Sequence, residues 1–250
     1  MSDLTRSLRE EVYRANRELA ESGLVLDTFG NVSGVDRQVG LFFIKPSGVP
    51  YAELRPETMV PVSLENGEVL EGELRPSSDT PTHLELYRAF PCGGIAHTHS
   101  QAATTLAQAR LPVRCMGTTH ADFFRGDVPV TRDLRPEEIQ EEYEKHTGLV
   151  IVEAFQEQSL QPLEVPAALV ASHGPFTWGR DAHEAVKHSV ILEFVARMDA
   201  DLRSFHAAQD RPDPVLVEKH FLRKHGNDAY YGQKERPAKE QFGNSKELPS

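Results

Sequence analysis

The tightest constraint in the sequence is the stretch Gly93-Gly94-Ile95-Ala96-His97-Thr98-His99-Ser100. Two histidines stand two residues apart behind a short apolar run. On a β-strand, residues i and i+2 point to the same face. His97 and His99 can therefore offer two imidazoles to one ion, fixed by a backbone that does not easily splay them. The same alternation would also suit a strand with a polar outer face, and the rest of the chain bears on the choice. Ser77-Ser78-Asp79 lies upstream, before an expected helix. Downstream, Ala168-Leu169-Val170-Ala171-Ser172-His173-Gly174-Pro175 repeats the pattern of an apolar strand ending in histidine. Three histidines at strand ends, with an aspartate near, suit a zinc site that keeps one position open for substrate.

Net charge is −11 over 250 residues, with 39% apolar and 26% charged side chains. That length allows a sizeable core. The acidic balance argues against a nucleic-acid partner, which needs clustered positive charge. It leaves room for a small basic pocket that takes a phosphate. Cys92 and Cys115 form no close-spaced metal or redox motif and read as free thiols of a reducing compartment. Asp3, Arg6, Arg9, Glu10 and Glu11 interrupt the first leucines, so no signal peptide is expected. No apolar run approaches the roughly 18 residues of a membrane span. The expectation is a cytoplasmic protein without a membrane partner.

Leu4, Leu8, Val12, Ala15 and Leu19 predict an amphipathic first helix, stopped at Gly23. Thr28 to Ser33 reads as a strand containing Gly30, a mark of close approach by a ligand or another backbone. Leu41 to Ile44 is a strand running into the turn Lys45-Pro46-Ser47-Gly48. Asn66-Gly67 between apolar runs predicts a hairpin, and Pro61 places its first strand at a sheet edge. Thr80-Pro81 reads as an N-cap and first helical residue, opening a helix to about Phe90. A helix from about Gln101 to Ala109 follows the histidine strand. Arg135-Pro136 introduces one helix through Tyr143, as far as Thr147, and Leu149 to Phe155 leans helical. Ala167 to Ser172 is expected as a strand. Asp181 caps a long helix from Ala182 to about Phe205, with Ala185, Val186, Ile191, Leu192, Val195 and Met198 on its buried side. Asp213-Pro214 opens a last helix, stopped by Gly226. Residues 1–233 read as one α/β domain with a mixed or largely antiparallel sheet. Residues 234–250 are almost wholly charged or turn-forming, and disorder is expected there.

Taken in order, the motifs are Gly30-Asn31-Val32-Ser33, Lys45-Pro46-Ser47-Gly48, Pro76-Ser77-Ser78-Asp79-Thr80-Pro81-Thr82-His83, His97-Thr98-His99-Ser100, Thr118-Thr119-His120-Ala121-Asp122 and Ser172-His173-Gly174-Pro175. Lys219-His220-Phe221-Leu222-Arg223-Lys224-His225-Gly226 and Ala229-Tyr230-Tyr231-Gly232-Gln233 complete the set. Over roughly residues 3 to 233 this resembles the class II aldolase/epimerase family, and within it the L-ribulose-5-phosphate 4-epimerases. The resemblance implies an α/β/α sandwich around a mainly antiparallel sheet. It implies homotetramers with active sites between subunits, and Zn2+ as cofactor, with Mn2+ or Co2+ able to substitute. His97, His99 and His173 would be metal ligands, with Asp79 either a ligand or a base beside the ion. Gly30, Asn31, Ser47, Gly48, Ser77 and Ser78 would form the phosphate and substrate pocket, with Lys45 close by. Asp122 and Tyr231 match the family's acid/base pair, contributed by a neighbouring subunit. His220 and Arg223 match residues at the phosphate end, and Glu144 is a weaker candidate.

The residue types suit those tasks. Glycines and paired serines let backbone and hydroxyl groups approach a phosphate closely, and an arginine can bind two of its oxygens. The expected reaction interconverts L-ribulose 5-phosphate and D-xylulose 5-phosphate by breaking and re-forming the C3–C4 bond. One alternative is a class II aldolase of the L-fuculose-1-phosphate type, which carries a glutamate where this chain has Asp79. Another is a non-catalytic, metal-dependent sugar-phosphate binding protein.

Overall fold

The computed structural model describes residues 3–205, 210–226 and 229. Tyr231 and the 234–250 segment lie outside the described residues. Helix α1 (Asp3–Glu21) forms as its apolar spacing predicts, with Val12, Ala15 and Leu19 wholly buried. Strands β1 (Asn31–Asp36), β2 (Leu41–Ile44) and β3 (Val60–Ser63) follow, then helix α2 (Thr80–Ala89) and strand β4 (Gly94–His97). Helices α3 (Gln101–Gln108), α4 (Thr118–Ala121), α5 (Pro136–Gln140) and α6 (Tyr143–Glu157) come next. Strands β5 (Ala167–Leu169) and β6 (Pro175–Gly179) and helices α7 (Ala182–Ser204) and α8 (Pro214–His225) complete the chain.

The six strands pair in the order β3-β2-β1-β4-β6-β5, every neighbouring pair antiparallel. Both faces are covered, so the strands are largely buried on both sides. Phe42, Ile44, Ile95, Phe176 and Trp178 face α2, α3 and α6, while Val32, Leu41, Phe43 and Ala96 face α1 and the first turns of α7. The expected α/β/α sandwich is present. β3 is an edge strand, as Pro61 requires. No helix among the described residues is long and apolar enough to cross a membrane.

Several expectations need correction. β1 starts at Asn31, because Gly30 has a φ of 82° and belongs to the turn that enters the strand. The N-cap of α2 is Asp79 and makes no side-chain cap bond, while the Thr80 hydroxyl donates to Ser77 O at 2.6 Å. The helix expected from Arg135 to Thr147 is two helices, α5 and α6. Arg132 pairs with Glu138 of α5 and Glu153 of α6, and the Thr82 hydroxyl donates to Glu144 O at 2.5 Å. These tertiary contacts fix the second helix in its own direction. β5 ends at Leu169 because Val170 N turns to Gly174 O. β6, which no strand expectation covered, is buried along its whole length. Met198 is 44% exposed and lies off the buried side of α7.

Candidate functional site

His97 ends β4 in the middle of the sheet. It pairs with Asn31 of β1 on one side and with Phe176 of β6 on the other. Its ring stacks on Phe176 at 4.2 Å, and its Nδ1 lies 2.9 Å from Pro175 O. A carbonyl only accepts, so Nδ1 carries the proton and Nε2 keeps its lone pair. His99 stands just past the strand end, its ring centroid 4.9 Å from that of His97. His173 arrives from the turn between β5 and β6. Ser172 takes a φ of 64° there, and its hydroxyl is held by Arg110 at 2.7 Å and by Asp133 at 3.2 Å. A non-glycine residue in that region is strained. The ring of His173 comes to 4.8 Å from His97 and 5.1 Å from His99.

One nitrogen from each of the three imidazoles lies within 4.8 Å of the others. Burial pushes all three below the usual imidazole range, His173 to about 4, and each ring disfavours a charge on its neighbour. Neutral imidazoles are the ligating form. The donor set therefore fits a divalent ion. Asp79 is not part of the three-histidine group. Burial would raise its pKa, but His97, His83, His173 and the Asn31 amide hold the carboxyl below its ordinary value. Behind it, His83 is fully buried and pushed down to about 3, its Nδ1 2.6 Å from Ser33 Oγ.

A cavity of about 570 Å³ opens over these groups. His97, His99, His173 and Asp79 line it together with Gly30, Asn31, Lys45, Ser47, Gly48, Ser77 and Ser78. Two loops meet to make that lining. Ser47 N donates to Arg75 O and Ser77 N to Lys45 O, each at 2.9 Å. Lys45 is 2% exposed, and its ammonium lies 4.8 Å from the centre of the Tyr51 ring. Burial lowers its pKa, with Asp27 acting in the opposite sense. The cavity thus carries a carboxylate and three imidazoles in one part and hydroxyls and an ammonium in another.

Asp122, His220 and Arg223 do not line the cavity. They form a cluster of their own where the end of α4 meets α8. Arg223 donates twice to the Asp122 carboxylate, at 2.9 and 2.6 Å, and His220 Nδ1 lies 3.0 Å away. Burial would raise the Asp122 pKa, but Arg223, His220 and Lys224 hold it low. The cavity also contains Tyr143 and Gln108, which the sequence did not suggest, and Glu144, which it suggested weakly. A break between α5 and α6 at residue 142 is what brings Tyr143 into the cavity, and no glycine or proline announces it.

Fold and cavity define a mixed α/β protein that sets a histidine cluster beside a lining of serines, glycines and a lysine. The chain belongs to the class II aldolase and adducin N-terminal domain family, whose family model matches residues 10–200. It is similar to the solved structure of an L-fuculose 1-phosphate aldolase, at 25% identity and a TM-score of 0.70, covering 88% of this chain and 95% of that one. A candidate aldolase/epimerase/decarboxylase from Klebsiella pneumoniae, YgbL, is 27% identical with a TM-score of 0.66, over 85% of this chain and 97% of that one. An L-fuculose 1-phosphate aldolase from Glaciozyma antarctica PI12, at 20% identity, shares the fold with a TM-score of 0.70, over 90% of this chain and 84% of that one.

Proposed function

We propose that this chain is a zinc-dependent epimerase interconverting L-ribulose 5-phosphate and D-xylulose 5-phosphate. The observation that carries the proposal is the shared cavity, where three neutral imidazoles stand beside Lys45, Asn31 and the Ser47 and Ser77 loops. His97, His99 and His173 would hold the ion, with Asp79 beside them. Bound there, zinc supplies a Lewis acid that draws charge from a ketose oxygen and favours the enediolate.

C4 of the substrate carries no acidic hydrogen, so inversion by proton abstraction is a poor route. Cleavage of the C3–C4 bond is the better one. A base takes the C4 hydroxyl proton, the C4–O bond becomes a carbonyl, and the C3–C4 electron pair passes into the enediolate of dihydroxyacetone. Glycolaldehyde phosphate turns its other face, the bond re-forms, and an acid returns a proton to the new C4 alkoxide. Lys45, Ser47, Gly48, Ser77 and Ser78 would anchor the phosphate throughout. Asp122 and Tyr231 would be the acid/base pair, one taking the C4 hydroxyl proton and the other returning a proton to the new alkoxide. Asp122 stands outside the cavity of its own chain. That supports a homotetramer in which Asp122, Tyr231, His220 and Arg223 complete the cavity of an adjacent subunit.

Asp79 favours epimerase over aldolase, since the L-fuculose-1-phosphate aldolases carry a glutamate there. The test offers the zinc-loaded protein L-ribulose 5-phosphate and L-fuculose 1-phosphate in parallel. The epimerase assignment expects D-xylulose 5-phosphate from the first and little cleavage of the second. Efficient release of lactaldehyde from the second would make the chain an aldolase. Turnover of neither would leave a sugar-phosphate binding protein.

A further inference from the structure

We propose that Tyr143 is a positioning residue for the metal centre, its phenol oxygen accepting a hydrogen bond from His173 Nδ1–H and so fixing the tautomer that presents Nε2 to the ion. The inference rests on the three imidazoles holding a divalent metal. A neutral imidazole has one N–H and one lone pair. If the ion takes the lone pair, the other nitrogen must carry the proton and needs an acceptor. Such outer partners set the ring's orientation and basicity.

His97 has its acceptor in the backbone, at Pro175 O, and is buried at 2% exposure. His173 is placed differently. It sits at a turn, next to the left-handed Ser172, and is only half-buried. Its Nδ1 lies 3.2 Å from the Tyr143 hydroxyl oxygen, and the two rings are within 23° of parallel. Tyr143 thus stands to His173 as Pro175 O stands to His97. The phenol's own hydrogen remains free to donate into the cavity that Tyr143 lines. Burial, with Asp79 second, raises the pKa of that phenol, so it stays protonated at neutral pH.

The chain fixes Tyr143 firmly enough for this task. It is the first residue of α6, and Thr147 donates to its carbonyl at 2.9 Å. Thr82, in the first turn of α2, donates to the next carbonyl. At Gly148 the two helices come so close that a Cβ would lie 3.0 Å from Thr82 O. The start of α6 is therefore clamped to the start of α2, the element that carries Asp79.

The test uses Tyr143→Phe in the full chain. That change keeps the ring and deletes the acceptor. Zinc affinity is measured by competition with a chromophoric chelator, with His173→Ala as the control that loses the ion. The expected result is a Kd for zinc raised about 10–100-fold, with the metal-free melting temperature unchanged. In zinc-loaded wild-type protein with 15N-labelled histidine, His173 Nδ1–H should give a slowly exchanging signal that disappears in the variant. A Kd within twofold of wild type overturns the inference while leaving the metal centre standing. An unprotonated His173 Nδ1 in the zinc-loaded wild type overturns it without any variant. A wild-type chain that binds no zinc removes the metal centre itself, and this inference with it.

Discussion

The side-chain amide of Asn31 donates to Asp79 Oδ2 at 2.7 Å and, from the same nitrogen, to Ser77 Oγ at 3.0 Å. One residue of β1 thus ties the carboxylate beside the histidines to the serine loop. Asn31 is 2% exposed, and its Oδ1 is buried without a hydrogen-bond partner among the described residues. Leaving such an acceptor unmade is costly.

The metal assignment predicts that His97→Ala, His99→Ala and His173→Ala each lose bound zinc and turnover together. Three protein ligands leave little slack, so removal of one should weaken zinc binding by orders of magnitude. Metal analysis of the purified, folded variants checks this. A full complement of zinc in any one of them removes that histidine from the ligand set.

Gly30→Ala should damage stability and the cavity at once. The backbone there has a φ of 82°, and a Cβ would meet His97 O and Val25 Cγ1 at 2.9 Å. Strain of this kind costs on the order of 1–3 kcal/mol. The expected result is a lowered melting temperature together with weakened zinc binding, because the atom struck belongs to a proposed ligand residue. An unchanged melt would show that the turn can relax.

Much of this was legible in the sequence, and the reasons differ from place to place. The i, i+2 spacing of His97 and His99 marked the pair, although β4 ends at His97 and His99 reaches the cluster from just past the strand rather than by strand alternation. Gly30 marked a close approach that turned out to be the His97 carbonyl. Asp213 and Asp181 announced α8 and α7 as caps, and each accepts a backbone N–H as expected. The α5–α6 break was hidden because Gln140, Glu141 and Glu142 are ordinary helix residues, and the contacts that fix it are tertiary: Thr82, 62 residues earlier, bonds Glu144 O, and Arg132 ties α5 to α6. Tyr143 was hidden with it. Strand β6 was missed because Pro175 to Gly179 is only 5 residues long, is buried on both faces and is bounded by the proline and glycine that read as a turn.

Asp122 sets a pH-dependent part of the stability. Its native pKa lies below the ordinary value near 4. Between the two values the unfolded chain binds more protons, so this stabilisation is fully present above about pH 5 and is lost as pH falls through the native pKa. Asp122→Asn should therefore melt below wild type at pH 7, and the gap should narrow as the pH is lowered below the ordinary carboxylate value. A gap independent of pH would point to lost packing rather than to the ion pairs with Arg223, His220 and Lys224.

A shared site predicts complementation between two dead variants. His97→Asn should lack the metal, and Tyr231→Phe should lose about 10²–10⁴-fold in rate as a general acid is removed. Joint unfolding and refolding of equal amounts should restore about a quarter of the sites, since each half is intact in half the subunits. No recovery in oligomers shown by mass to be mixed would place both halves in one chain.

The central claim, inversion by C3–C4 cleavage at this cavity, is met most directly by running the reaction in D2O. Zinc-loaded protein is incubated with L-ribulose 5-phosphate, and the D-xylulose 5-phosphate formed is examined by NMR and mass spectrometry. Retro-aldol inversion leaves the hydrogens on C3 and C4 in place, so the product should carry no carbon-bound deuterium at either position. Deuterium at C3 or C4, or no D-xylulose 5-phosphate at all, would contradict the account.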